Sequence, residues 1–229
     1  MKLNGLTPQQ FGLKGKAITT IGCGSYHSFA ITESGSVYAW GLNSYGETGI
    51  SKAIGDGEES DVHHPALVPE LSSGSHGKVT HIEGGAHHSI CVTDKNECLV
   101  WGRMDGYQLG IPTAKMPAES LIYDSASKPR ILATPTQIPG LEASYCAAGS
   151  DHCLAVGVDG RVYSWGFNAT YQCGQGSDED IEECTQINNT AVRDKRIVWA
   201  GAGGQFSVIA GLADADGEGD STMVNGHGH

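Results

Sequence analysis

Positive charge is scarce in this 229-residue chain: 14 Lys and Arg stand against 26 Asp and Glu, a net charge of −12. A nucleic-acid surface built from this chain alone is therefore not expected, because phosphate binding needs a basic patch. A basic protein partner suits the balance, since opposite charge steers its approach. No uninterrupted apolar run nears the roughly 18 residues of a membrane span, so no membrane partner is expected. No apolar stretch follows Lys2, so a secretory signal is not expected and the seven cysteines should be reduced. None of them forms a Cys-x-x-Cys pair, which removes the usual zinc and redox signatures. Charged residues make up only 17%, too few for wholesale disorder alongside so many β-branched residues.

Glycine, by contrast, is abundant, with 33 residues. No strict Gly-X-Y period runs through the chain, which excludes collagen. A helical bundle is disfavoured, because each interior helical glycine costs about 1 kcal/mol. An all-β, turn-rich chain remains.

Internal repetition organises it. Residues 23–49 read CGSYHSFAITESGSVYAWGLNSYGETG, residues 84–110 read GGAHHSICVTDKNECLVWGRMDGYQLG, and residues 148–174 read AGSDHCLAVGVDGRVYSWGFNATYQCG. The three align without a gap. His27, His88 and His152 coincide, as do Trp40, Trp101 and Trp165. A partial fourth unit, AGGQFSVIAG at 202–211, carries Phe206 in the histidine position. Within each unit large and small residues alternate, as in His27, Phe29 and Ile31 against Ser28, Ala30 and Thr32. That period predicts a strand with one bulky and one lean face. A turn follows at Gly35, Asn96 or Gly160, and then a second strand ends in Trp-Gly. Such sheets, one per 50–65 residues, predict radially stacked blades that bury bulky face on lean face.

The repeat also disposes of most candidate sites. His27, His88 and His152 recur at one strand position, so radial stacking separates them. They are read as structural histidines, not metal ligands, and neither a metal nor a cofactor is expected. Cys91, Cys98, Cys146 and Cys153 align with small or aliphatic residues and are read as packing. Trp40, Trp101 and Trp165 are read as core. Functional residues should break the pattern. His87 does so, because its equivalents are Tyr26, Asp151 and Gln205. The loop after each Trp-Gly should return to the same rim, carrying Asn43, Arg103, Asp105 and Asn168. Loops of this kind commonly hold a partner.

The pattern Gly-x-x-His-Ser, then Val-Tyr-x-Trp-Gly, then Gln-Leu-Gly resembles the regulator of chromosome condensation repeat, from about Ala17 to Ala210. The match is closest to the family branch of nuclear guanine-nucleotide exchange factors for the small GTPase Ran. The acidic insert at 51–64 and the Pro-rich insert at 112–139 are similar to those of fungal members. The resemblance implies a β-propeller, here about 3.5 of seven blades, corresponding to a C-terminal half. It divides the chain into a lead-in over 1–16, a partial propeller over 17–211 and a disordered Gly/Asp-rich tail over 212–229. It further implies that His87 is the catalytic residue for exchange and that Asn43, Arg103 and Gln205 match GTPase-contacting positions, with Asp105 and Asn168 beside them. Chromatin contact would belong to a missing N-terminal part, with Lys14 and Lys16 either its remnant or an exposed lead-in. The implied location is nuclear, and the implied mechanism is protein binding without covalent chemistry. Activity would require the complementary half-propeller. The alternative within the family is a non-catalytic binding module, such as an adaptor or ubiquitin-ligase-associated propeller.

Overall fold

The computed structural model describes residues 12–50, 54, 60–72 and 74–212. Most of the expected lead-in, the acidic insert at 51–53 and 55–59, and the tail beyond Leu212 lie outside the described residues.

The expected strands form, and each repeat is completed by a fourth. The first blade holds β1 (Ile18–Cys23), β2 (His27–Thr32), β3 (Val37–Gly41) and β4 (Val62–Leu67), paired antiparallel in that order. A one-turn helix, α1 (Pro69–Ser72), leads to the second blade: β5 (Val79–Gly84), β6 (His88–Thr93) and β7 (Glu97–Arg103). The Pro-rich insert then makes a hairpin of β8 (Leu121–Tyr123) with the start of a long strand, β9 (Pro129–Ala148). The first part of β9 pairs with β7, Arg103 opposite Ile131, and closes the second blade. Its last residues pair with β10 (His152–Gly157), Ala148 opposite Cys153, and open the third. That blade continues through β11 (Val162–Gly166) and β12 (Ile181–Gln186). The partial fourth repeat is a two-stranded sheet, β13 (Ile197–Ala202) with β14 (Ser207–Gly211). The result is an open, incomplete propeller. No described helix is long and apolar enough to cross a membrane.

Hydrophobic burial lies between blades. One core joins Phe29 and Ile31 of the first blade to Ile82, Leu99 and Trp101 of the second. The next joins Ile90 and Val100 to Cys146, Cys153 and Trp165. The third joins Leu154 and Val156 to Ile197 and Ala200. The repeat histidines and tryptophans lock these layers. The Nε2 atoms of His27, His88 and His152 meet the small residue beside the next blade's histidine position, Ser89 Oγ at 2.8 Å, Cys153 Sγ at 3.1 Å and Ser207 Oγ at 2.9 Å. Ser89 Oγ donates onward to the Glu47 carbonyl and Ser207 Oγ to that of Gln172, both at 2.7 Å. The histidines in those two contacts therefore donate from Nε2. Trp101 and Trp165 donate from Nε1 to the Glu47 and Gln108 carbonyls of the preceding blade, at 3.0 and 2.9 Å. The close approach of blades requires glycine at 85, where a Cβ would stand 2.5 Å from the Gly149 carbonyl oxygen and 2.1 Å from the His88 ring.

The expectation that all three repeat tryptophans are core needs correction. Trp40 is only half-buried, whereas Trp101 and Trp165 are completely enclosed. It lies near the end of β3 in the first blade. Lys16 is exposed, as one of its two readings expected, and its ammonium lies over the Tyr38 ring, 4.8 Å from the centroid. Trp199, which stands in β13 where β9 has Tyr145 and β5 has His81, donates from Nε1 to Tyr145 Oη at 3.1 Å, and Tyr145 in turn stacks on His81.

The two ends of the blade stack are apolar. Ile21 is 71% exposed although its equivalents Ile82, Cys146 and Ala200 are buried, and Phe206 is 58% exposed where the repeat histidines are buried. The isolated chain is expected to self-associate through these faces. Light scattering checks this, and a stable monodisperse monomer would contradict it.

Candidate functional site

The pairing of β6 with β7 sets His88 opposite Gly102, so the residues just beyond, His87 and Arg103, are neighbours at one rim. The Arg103 N–H donates to the His87 carbonyl at 2.9 Å. Gly102 makes this possible. Its φ is +103°, and a Cβ there would stand 2.6 Å from that carbonyl oxygen, a geometry that only glycine takes readily.

A third segment joins them from the first blade. The Tyr45 ring lies 4.8 Å from the His87 ring, and Tyr26 stacks on the same His87 ring at 5.4 Å and 24°. Two guanidinium groups face Tyr45, Arg103 at 5.5 Å and Arg130 at 4.8 Å from its centroid. Such cation–π contacts stabilise by about 0.5–1 kcal/mol at exposed sites. Arg130 also donates from Nη2 to Tyr45 Oη. It belongs to the start of β9, anchored where the Met104 N–H reaches the Arg130 carbonyl at 3.1 Å. Arg103 donates from Nε to Asp105 on its own loop. Burial works against the Arg103 charge, but Asp105 outweighs it and holds the guanidinium pKa above its ordinary value.

Beneath this cluster lies Glu47, whose side chain is wholly buried. Its Oε2 accepts the Tyr45 N–H at 2.7 Å, and its Oε1 lies 3.3 Å from His87 Nδ1. Burial pushes the Glu47 carboxyl up, against the pull of these hydrogen bonds. An open groove of about 610 Å3 adjoins the cluster, lined by Met104, Asp105, Tyr107, Arg130, Glu182 and Glu183 among others.

The structure thus brings His87, Arg103 and Asp105 together. It does not offer Asn43 or Asn168 to a partner, because both are completely buried. Asn43 Oδ1 accepts the Thr48 N–H and Nδ2 donates to the Ile50 carbonyl. Asn168 does the same for Cys173 and the Ser177 and Glu179 carbonyls. The physical reason is the turn itself, whose inward-pointing backbone groups need a side-chain partner. Gln205 is exposed but lies two repeats further round, at the entrance to β14.

Sequence reasoning missed Tyr45, Glu47 and Arg130. A signal existed for one of them: Glu47 aligns with Gln108 and Gln172, the sole charge at that position. Arg130 sits in a non-repeating insert, where nothing in the pattern marks it. The second loop reads Gly106-Tyr107 where the first reads Tyr45-Gly46, and the backbone accommodates the exchange. Tyr107 and Tyr171 take the left-handed backbone, φ +59° and +61°, that Gly46 takes in the first.

An RCC1-like domain model matches residues 1–209. The chain is 44% identical over 220 residues to protein pim1 of Schizosaccharomyces pombe, covering 95% of this chain and 39% of that protein. It is 36% identical over 224 residues to guanine nucleotide exchange factor SRM1 of Saccharomyces cerevisiae, covering 95% and 44%. Among solved structures it superposes on Saccharomyces cerevisiae Prp20p, studied for its binding to Gsp1p and histones, with a TM-score of 0.79 and 34% identity over 87% of this chain and 44% of that one. The chain therefore spans less than half the length of these relatives. Repeat, blade architecture and these matches agree: the chain belongs to the RCC1-like domain family.

Proposed function

We propose that the rim formed by Tyr45, His87, Arg103 and Arg130 docks a small GTPase of the Ran type and, within a completed propeller, promotes GDP release in the nucleus. The observation that carries this reading is the convergence of three separate segments on the Tyr45 ring. Tyr and Arg are the residues most enriched where interfaces concentrate their energy. The relationship to an exchange factor supports the choice of partner.

The work asked of the site is differential binding. A GTPase holds its nucleotide through backbone N–H groups, a lysine and Mg2+ around the phosphates. A surface that binds the nucleotide-free form better weakens nucleotide binding by the same factor, because coupling is reciprocal. No covalent step is needed. The acidic chain draws a basic GTPase over distance, while the rim itself presents guanidinium, imidazole and phenol groups to acidic or hydrogen-bonding atoms.

The test is release of labelled GDP from Ran. This chain alone is expected to give little, and addition of the complementary half-propeller to restore it. His87→Ala should then slow release about tenfold or more, a loss of about 1.4 kcal/mol. Unchanged exchange in that variant would remove His87 from the site. Equal affinity for the nucleotide-free and GDP-bound GTPase would instead favour the adaptor reading.

A further inference from the structure

We infer that Glu47 is a positioning residue for His87, accepting the Nδ1 proton so that Nε2 is left as the ring's hydrogen-bond acceptor. The partner-facing part of this inference rests on the role proposed for His87; the positioning does not.

The repeats supply the comparison. In all three loops, the residue at this position accepts a backbone N–H two residues earlier: Glu47 from Tyr45, Gln108 from Gly106 and Gln172 from Thr170. A neutral amide performs that task in two loops, so the turn does not need a carboxylate. What differs is the second arm. Gln108 Nε2 donates to Asp151 Oδ1 at 3.2 Å, and Glu47 Oε1 meets His87 Nδ1 at 3.3 Å. Asp151 and His87 occupy the same position of successive blades. An amide that donates faces a carboxylate that can only accept, and a carboxylate faces a ring nitrogen able to donate. The choice of Glu at 47 thus matches the residue across the blade boundary.

Burial makes the match consequential. The Glu47 side chain is fully enclosed and that of His87 is 23% exposed, so a mismatched pair of acceptors would have little water to rescue it. Tyr26 and Tyr45 flank the ring, and Arg103 occupies the adjacent strand end. The ring is held by the stacked Tyr26 and the tilted Tyr45, and Glu47 decides which nitrogen carries the proton. That is how an orienting group acts on a histidine in general.

Glu47→Gln tests this. The fold should survive, because Gln108 and Gln172 already serve the same turn. The new amide would keep the Tyr45 N–H on its oxygen and turn its NH2 toward His87 Nδ1. Ring 15N shifts of the histidine-labelled full chain, recorded near pH 8 and assigned with His87→Ala, should show Nδ1–H in the wild type and Nε2–H in the variant. The same tautomer in both proteins, or Nε2–H in the wild type, would overturn the inference. A second arm rebuilds the pair one blade further on. In Gln108→Glu with Asp151→His, the introduced ring should also carry Nδ1–H, and Nε2–H there would count against the mechanism. The exchange assay with the complementary half separates the two readings. Inverted tautomer with slowed exchange supports both. Inverted tautomer with unchanged exchange keeps Glu47 as the positioning residue and removes His87 from the partner surface.

Discussion

Lowering the pH from 7 to 5 is expected to cost this fold about 6 kcal/mol, about 2 kcal/mol for each of three buried histidines. Burial holds His27 and His152 down to about 4 and His88 to about 3, the last also disfavoured as a cation by the nearby Arg103 charge. In the unfolded chain an imidazole titrates near 6.5. Above that pH both states are neutral, and the stability is fully present. As the pH falls from about 6.5 toward 4, the unfolded chain takes up protons that the folded chain refuses, and the equilibrium moves toward unfolding. Glu47 works in the opposite direction, since its raised pKa relieves the fold as it protonates, but it is one group against three. Domains are stable by about 5–15 kcal/mol, so the expected loss is a large share. Denaturant midpoints at pH 7 and pH 5 measure it. His152→Phe, which installs the residue the fourth repeat carries at Phe206, should flatten the dependence by about one third. A midpoint unchanged between the two pH values would mean that these rings titrate normally.

Trp101→Ala should destabilise the chain by about 3–5 kcal/mol. The ring is fully enclosed, meets Phe29 edge-on at 6.0 Å, and donates to the Glu47 carbonyl across the blade boundary. Truncation leaves a cavity and a buried carbonyl with one donor fewer. Trp165→Ala should cost a similar amount, for it is equally buried and holds the Gln108 carbonyl. Trp40→Ala should cost distinctly less, because that ring is only half-buried. Urea unfolding with an unchanged m-value would report the differences as midpoint shifts. Equal losses at all three positions would show that Trp40 is enclosed in solution, as in a self-associated form. Addition of the complementary half should raise the Trp40 cost toward that of the other two.

The same contrast shows how far the sequence could be read. The positions of β2, β3, β6, β7, β10 and β11 followed from period-two alternation, and the turn residues Gly35, Asn96 and Gly160 all have positive φ, from +63° to +86°. Placing His87 and Arg103 at one rim followed from counting strand crossings, and the hydrogen bond between their backbones agrees. The outer strands β4, β9 and β12 were not legible. They lie in inserts that differ between repeats and are read only by the neighbour they pair with. Asn43 and Asn168 were misread for a related reason. A polar residue in a loop looks the same in sequence whether its amide faces solvent or ties its own turn.

By itself the sequence determined the architecture. Glycines recurring at fixed offsets, one bulky and one lean strand face, and a histidine and a tryptophan per unit can be satisfied only by sheets stacked on their copies. These are local and periodic demands, and a linear string records them fully. The tertiary structure alone decided the site. Tyr45, Glu47, His87, Arg103 and Arg130 come from two blades and an insert, and no period relates them. They meet because a blade boundary brings one loop over the next, where burial fixes which carboxylate faces which ring. It also decided which tryptophan is core, since Trp101 and Trp165 are enclosed against a preceding blade whereas Trp40 is half-buried.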